Sequence, residues 1–335
     1  MLKSSHCRKA FAAIICALLC STFASAQIEL HEKLTLSGWI DMNWQRVDDG
    51  TASDNEEDFF INEVEFDLDF DLAENLTARV DISFNREDTP GSAPGDDNFE
   101  GDIEQAYFTY TINDQTSATA GKFLSYLGWE AFDVINLYQI SGGGGQGLYP
   151  AFQNGVRLDY NQDMFQAGLA VLGDVYDNNA YDTDDRGYEA KLKLMPAEGA
   201  TIFLGYAQQA VADSSDDIEV LNIWASYKTG DLLLAAEYMD GEDYRDSDEG
   251  QVDVDGFLAM ANYTINEDWQ VTVRYTERES ELSATGAAVD DSNAWVVAPA
   301  VTITDNLDAI FEYRQDEVEG GEDTDTMALK LILTF

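Results

Sequence analysis

The sequence predicts an all-β chain: a transmembrane, antiparallel up-and-down β-barrel of about 16 strands, with short periplasmic turns and long extracellular loops. Three observations carry this reading. Apolar and polar residues alternate with period two through segments of about ten residues. Short turns alternate with long acidic loops along the chain. No apolar run reaches the roughly 18–20 residues that a spanning helix needs.

The first element is an address. Met1–Ala26 carries Lys3, Arg8 and Lys9, then the apolar run Ala10–Cys20, then Ala24-Ser25-Ala26. A charged start, a short apolar stretch and a small-x-small site make a secretory signal peptide cleaved after Ala26. Lipid attachment at Cys20 is disfavoured by the bulky Leu18 and Leu19 before it. The three cysteines, Cys7, Cys16 and Cys20, all lie in this segment. Residues 27–335 therefore offer no disulfide, thiolate metal site or cysteine nucleophile.

Composition narrows the partners. The 335 residues include 65 Asp+Glu against 18 Lys+Arg, a net charge of −47. Nucleic acid and an anionic lipid surface would both be repelled. With 45% hydrophobic and 12% aromatic residues, the chain has enough apolar material to fold.

The strands follow from the alternation. Leu34, Leu36, Ile40, Met42 and Trp44 alternate with Thr35, Ser37, Asp41, Asn43 and Gln45. Val64, Phe66, Leu68, Phe70 and Leu72 alternate with Glu63, Glu65, Asp67, Asp69 and Asp71, and Leu76–Phe84 repeats the pattern. Thirteen further segments fit: 102–112, 116–124, 153–161, 164–173, 187–195, 200–208, 218–228, 231–240, 252–264, 269–278, 294–304, 307–316 and 326–335. Asn, Asp and Gly gather in the short turns because they tolerate positive φ. The long loops are 46–57, 86–101, 125–152, 174–186, 209–217, 241–251, 279–293 and 317–325.

A soluble sandwich also alternates, so aromatic placement decides. Tyr110, Tyr160, Tyr227, Tyr263 and Trp269 fall near the short-turn rim. Trp44, Tyr188, Tyr206, Tyr238, Tyr275 and Tyr313 fall towards the long-loop rim. Two such girdles are expected at the two headgroup levels of a bilayer. The last segment alternates through Met327, Leu329, Leu331 and Leu333 to Phe335 on the lipid-facing parity. Pro299, inside 294–304, calls for a bulge or a shorter strand, because a closed barrel has no free edge.

Ile103-Glu104-Gln105-Ala106-Tyr107, Gly121-Lys122-Phe123-Leu124 with Gly128 and Glu130, and Asn154–Tyr160 resemble the outer-membrane β-barrel porin family of Gram-negative bacteria. Leu36–Asp41 resembles the first strand of general diffusion porins, and the likeness covers about residues 34–172. Asn154 stands where such proteins often carry His. The resemblance implies a barrel that passes small hydrophilic solutes, a homotrimer, and a third loop folded inward to narrow the pore.

The chemistry points the same way. After residue 26 the single histidine is His31, ahead of the first strand, so no Ser-His-Asp triad has a suitable base and no enzyme is expected. No phosphate-loop or paired-histidine motif occurs, and neither cofactor nor metal is expected. The loop Ser125–Phe152 is far more apolar than the others, with Trp129, Phe132, Val134, Ile135, Leu137, Tyr138 and Ile140 before four glycines. An apolar loop has to be buried, either inside the lumen as a constriction or as a lid over the mouth or a neighbouring subunit.

This loop carries Glu130 and Asp133. Arg79, Lys122, Arg157, Lys191, Lys193, Arg274, Arg314 and Lys330 are expected on the lumen wall. Loop carboxylates facing wall cations would set a transverse field that sorts ions by charge. The alternative pairs each cation with a neighbouring carboxylate such as Asp81, Asp159 or Glu312. The ladder Glu63, Glu65, Asp67, Asp69 must be solvated or paired, which favours a wet lumen and a cation preference. Acidic clusters at Asp54–Asp58, Asp182–Asp185 and Asp240–Glu249 match no calcium-loop spacing and read as a solvated surface.

The expected function is passive diffusion of small hydrophilic solutes and cations through the outer membrane. Two other readings compete with it. One is a substrate-specific channel, with Trp129, Phe132 and Tyr138 forming a greasy slide for a sugar or organic solute. The other is a non-conducting structural or adhesive barrel with ion-binding acidic loops.

Overall fold

The alternation closes into a cylinder. The computed structural model describes residues 28–48, 50, 56–86, 99–142, 148–176, 186–210, 217–247, 250–289, 291–318 and 320–335. The expected signal peptide, with its cleavage site, and the cluster Asp182–Asp185 lie outside these residues. A short strand β1 (Ile28–His31) precedes β2 (Leu34–Asp48), β3 (Glu56–Ala73), β4 (Leu76–Arg86), β5 (Phe99–Thr111) and β6 (Thr116–Leu124). Next come β7 (Phe152–Asn161), β8 (Phe165–Leu172), β9 (Gly187–Ala197), β10 (Ala200–Gln209) and β11 (Ile218–Thr229). The series ends with β12 (Leu232–Ser247), β13 (Gly250–Thr264), β14 (Trp269–Leu282), β15 (Ser292–Thr304), β16 (Leu307–Val318) and β17 (Thr324–Thr334).

Consecutive strands from β2 to β17 pair antiparallel, and β17 returns to pair β2 from Asp325↔Asp48 to Thr334↔Trp39. The result is the expected closed 16-stranded barrel, with no free edge to leave backbone groups unpaired in lipid. β1 pairs the first residues of β2, Ile28↔Leu36 and Glu29↔Thr35, below the point where β17 ends. Phe335 completes the seam by exchanging two backbone hydrogen bonds of 3.0 Å with Gly38. Its ring lies 5.7 Å from that of Phe66 on β3, across β2.

Several strands exceed the expected bounds, because their hydrogen-bonded ladders outrun the apolar alternation. β3 begins at Glu56, β12 continues to Ser247 and β13 begins at Gly250. The expected loop 241–251 is therefore mostly strand, and so is most of the acidic cluster from Asp240. Pro299 produces neither a bulge nor a shorter strand. The β15–β16 ladder lapses between Val297↔Tyr313 and Ala300↔Ile310 and resumes in the same register. One missing N–H suspends the pairing without moving it.

The outer face is apolar: Phe108, Leu158, Leu169, Leu204, Trp295 and Val297 are exposed, as are the rim residues Tyr110, Tyr160, Tyr263 and Trp269. The inner face divides in two. On β2–β5 it carries Asp41, Glu63, Glu65, Asp67, Asp81 and Glu104, all buried. On β10–β17 it carries Phe203, Trp224, Leu233, Leu258, Val296, Ile310 and Ile332, buried as well. An apolar inner wall inside a barrel needs a cover, and the chain supplies one.

Candidate functional site

The cover is the long third loop, which here spans 125–151, since β7 begins at Phe152. Val134, Ile135 and Ile140 pack against Trp39, Val296, Ala298, Ala300, Ile310 and Ile332. Trp129 and Tyr138 pack against Leu233, Ala235, Leu258 and Met260. All these wall residues lie on the inward parity, so the loop runs inside the barrel and is no external lid. A short 3-10 turn, Val134–Asn136, sits in this stretch.

Buried wall glutamates pin the loop along its path. Glu189 on β9 accepts from Ser125 Oγ at 2.6 Å and the Tyr126 N–H at 3.0 Å. Glu237 on β12 accepts from the Trp129 N–H at 2.8 Å and from the Tyr149 hydroxyl. Glu312 on β16 accepts from the N–H groups of Ile140 at 2.7 Å and Ser141 at 3.1 Å. Each is 2% exposed, and each supplies acceptors to loop amides that have no helix or sheet to pair with. Asn222 adds a fourth anchor, accepting from the Gly128 N–H at 3.0 Å. Gly128 has φ +109° and faces the Tyr149 ring, which a Cβ would meet at 3.0 Å. Only glycine fits there without strain.

Burial of Tyr126, Tyr149 and Tyr176 pushes all three phenols above their ordinary range. Neighbouring acids add to the effect at each of them: Asp159, Glu237 and, at Tyr176, the Tyr244 phenol with Glu189. These rings therefore act as neutral hydrogen-bond donors, as Tyr126 does towards Asp159 at 3.1 Å.

The expected site residues separate into groups. Glu130 meets Arg274 directly, at 2.6 Å, with both side chains almost fully buried. The same guanidinium donates to the Ser141 carbonyl at 2.7 Å and to Ser141 Oγ at 3.0 Å. This pair is a latch rather than two poles across an opening. Asp133 lies where Arg79, Asp67 and Glu63 all act on it, and it accepts from Asn136 Nδ2 at 3.4 Å. Burial pushes its carboxyl up to about 6; Arg79 pulls down, while Asp67 and Glu63 push further up.

Most wall cations have local partners. Arg79 is held by Asp81 at 2.7 Å, Asp67 at 3.0 Å and Asp69 at 3.5 Å. Asp159 takes Lys191 at 2.8 Å and Arg157 at 3.5 Å. Lys330 meets Asp41 at 3.0 Å, and Arg314 pairs with Asp316. Glu312, expected as a partner for a cation, clamps the loop instead. Lys193 sits 5.9 Å from the Trp224 ring.

Lys122 is a correction. It shares its face of β6 with Ala118 and Ala120, opposite the buried Thr119 and Phe123. Its ammonium donates to the Ile103 carbonyl at 2.7 Å and meets Asp102 at 3.4 Å, so it belongs to the loop-side rim and not to the lumen wall.

The three loop aromatics line one cavity of about 310 Å³ together with Tyr149, Lys193 and Trp224. Trp129 packs edge-on to Trp224 at 5.2 Å, and Trp224 stacks on Phe203 at 5.0 Å. Phe132 instead contacts Phe152, at 4.6 Å. Sequence reasoning missed Glu189, Glu237, Phe203 and Trp224, and gave Glu312 a different partner. For Glu237 the available signal was an isolated glutamate on an otherwise apolar inward face, beside Leu233, Ala235 and Met239.

A family model described as Gram-negative porin matches residues 10–321. Among solved structures, the fold is similar to OmpF of Salmonella typhi in complex with daunomycin, at 16% identity and a TM-score of 0.72, covering 92% of this chain and 100% of that one. It is similar to an anion-selective porin from Comamonas acidovorans, at 14% identity and a TM-score of 0.65, covering 90% and 99%. It is also similar to OmpT, an outer membrane protein of Vibrio cholerae, in a trimer form, at 12% identity and a TM-score of 0.64, covering 90% and 99%. No curated protein matches the chain by sequence.

Proposed function

Because the chain belongs to the Gram-negative porin family and is an outer-membrane channel, we propose that it passes small hydrophilic solutes and ions by passive diffusion, with a preference for cations. One observation carries the preference. The inward Arg and Lys residues mostly spend their charge on local carboxylates, while Glu63, Glu65 and Glu104 form no ion pair among the described residues. The lumen therefore keeps a surplus of negative charge, which raises the local concentration of cations. The loop narrows the lumen from the β10–β17 side, placing Asp133 towards Arg79 and the acidic strands. Glu130, Asp133 and Arg79 are the residues assigned to the constriction, with Arg157, Arg274 and Arg314 on its wall. No residue is assigned a catalytic role. A homotrimer is the proposed assembly, by extension from the Vibrio cholerae neighbour.

The test is reconstitution of the purified protein in a planar bilayer, with reversal potentials across a KCl gradient. Stepwise ohmic conductance with cation selectivity is expected. Anion preference would refute the charge argument, and silence from a folded barrel would favour a non-conducting binding or structural role.

The aromatic shelf supports a second reading, a channel with a solute site. Trp129, Trp224, Tyr138 and Phe132 line the cavity with aromatic surface, and Phe203 stacks behind Trp224. Such faces suit the apolar side of a sugar ring or an organic solute. Saturable flux that is lost in Trp129→Ala would favour this reading over a general pore.

A further inference from the structure

We propose that the lumen wall formed by β3 and β5 binds a divalent cation of the Ca²⁺ class through Glu63, Glu65 and Glu104. Glu63 and Glu65 are inward neighbours on β3, and Glu104 reaches the same spot from β5, on the far side of β4. One oxygen of each lies within 4.8 Å of the others, and all three side chains are buried. Three oxygens spread evenly around one Ca²⁺ at about 2.6 Å stand about 4.5 Å apart, so ligand atoms within 4.8 Å of one another lie at or near the spacing a single ion bridges.

The unsatisfied chemistry at the spot points to a ligand. Glu65 is 1% exposed, and its Oε2 has no hydrogen-bond partner. Its carboxylate also belongs to a second triad, with Asp67 and Asp81, so it is aimed into the cluster. A buried, unpartnered carboxylate oxygen is costly unless something neutralises it. The second triad has its cation, Arg79, within 3.0 Å of both Asp67 and Asp81. Among the described residues the first has none: there Glu63 accepts from two neutral donors, Trp39 Nε1 at 3.1 Å and Ser83 Oγ at 2.9 Å. Asp133 of the loop adds like charge against Glu65 and Glu104. An all-oxygen carboxylate set suits a hard ion, and the flexible coordination of Ca²⁺ accommodates ligands brought together from two strands better than the rigid octahedron of Mg²⁺. The sequence predicts no metal and reads its acidic clusters as a solvated surface; Glu104 reaches this cluster only through strand pairing.

The site goes beyond the channel reading and does not require an open pore. Tb³⁺ is the probe, because Trp39 is hydrogen-bonded to one ligand and can sensitise its luminescence. With the folded protein in detergent, Tb³⁺ titration under tryptophan excitation should show a saturable component displaced by Ca²⁺. Glu65→Gln and Glu104→Gln, each checked for strand circular dichroism, should lose it. Its absence from the unsubstituted protein, or its persistence in both folded variants, overturns the proposal. A second readout needs no variant: saturating Ca²⁺ should lower the cation preference in a bilayer. Cation-selective conductance that ignores Ca²⁺ would overturn the metal site while leaving the channel reading intact.

Discussion

Arg274→Met tests whether the loop is held by its latch. The guanidinium is 2% exposed and makes three contacts with the loop: Glu130 at 2.6 Å, the Ser141 carbonyl at 2.7 Å and Ser141 Oγ at 3.0 Å. Methionine keeps the bulk and removes both charge and donors. Removing one partner of a buried ion pair costs about 3–5 kcal/mol. Even the lower figure weakens docking of this stretch by about a hundredfold, at 1.4 kcal/mol per decade. Glu189, Asn222 and Glu237 still hold the first part of the loop and Glu312 still accepts from Ile140 and Ser141, so the effect should be a loosening confined to residues near Glu130 and Ser141. Single-channel recording should show increased open-state noise and a larger mean conductance in a barrel of unchanged strand content. The double variant Arg274→Met/Glu130→Gln, which removes the buried charge as well, should recover most of the quiet behaviour. Conductance and noise identical to the parent in a folded Arg274→Met protein would refute the latch.

Asp133 predicts a pH dependence. With its carboxyl pushed up to about 6, it is charged at pH 7.5 and largely neutral at pH 5. Cation preference should therefore fall as pH drops through about 6, and Asp133→Asn should flatten that step. Arg79, Asp67, Glu63, Glu65 and Glu104 all act on this group or are acted on by it, so a step that survives in Asp133→Asn belongs to them. Arg79→Met should raise the cation preference, because Asp67, Asp69 and Asp81 lose their shared partner; an unchanged reversal potential would contradict this. Gly38→Ala should lower the yield of folded barrel, measured by heat-modifiable mobility. A Cβ at Gly38 would stand 2.1 Å from the Glu65 carbonyl and 2.9 Å from the Phe335 ring, at the seam that closes the sheet. Overpacking of this kind costs about 1–3 kcal/mol, and a normal yield would show that the seam can give way.

The architecture was legible in the amino-acid order because a barrel wall is a local pattern. Val64, Phe66 and Leu68 face lipid and Glu63, Glu65 and Asp67 face inward by the pleat alone, and the turn residues set where each strand reverses. The apolar third loop was equally visible, since Val134, Ile135 and Ile140 cannot remain in water. What the order of residues could not show is what those side chains meet. β15 is apolar on both faces, so period two does not reveal that Val296, Ala298 and Ala300 form the inner wall that the loop covers.

The same limit explains the site. Glu130 and Arg274 are 144 positions apart, and nothing local makes them an ion pair rather than two poles of a field. Lys122 looked inward because it is charged, whereas strand register turns it to the rim. Local periodicity thus determined the barrel, its strand count, its lipid face and its buried loop. Closure of the sheet decided the latch at Arg274, the glutamate anchors and the carboxylate triad on β3 and β5, because each depends on side chains brought together by pairing around the cylinder.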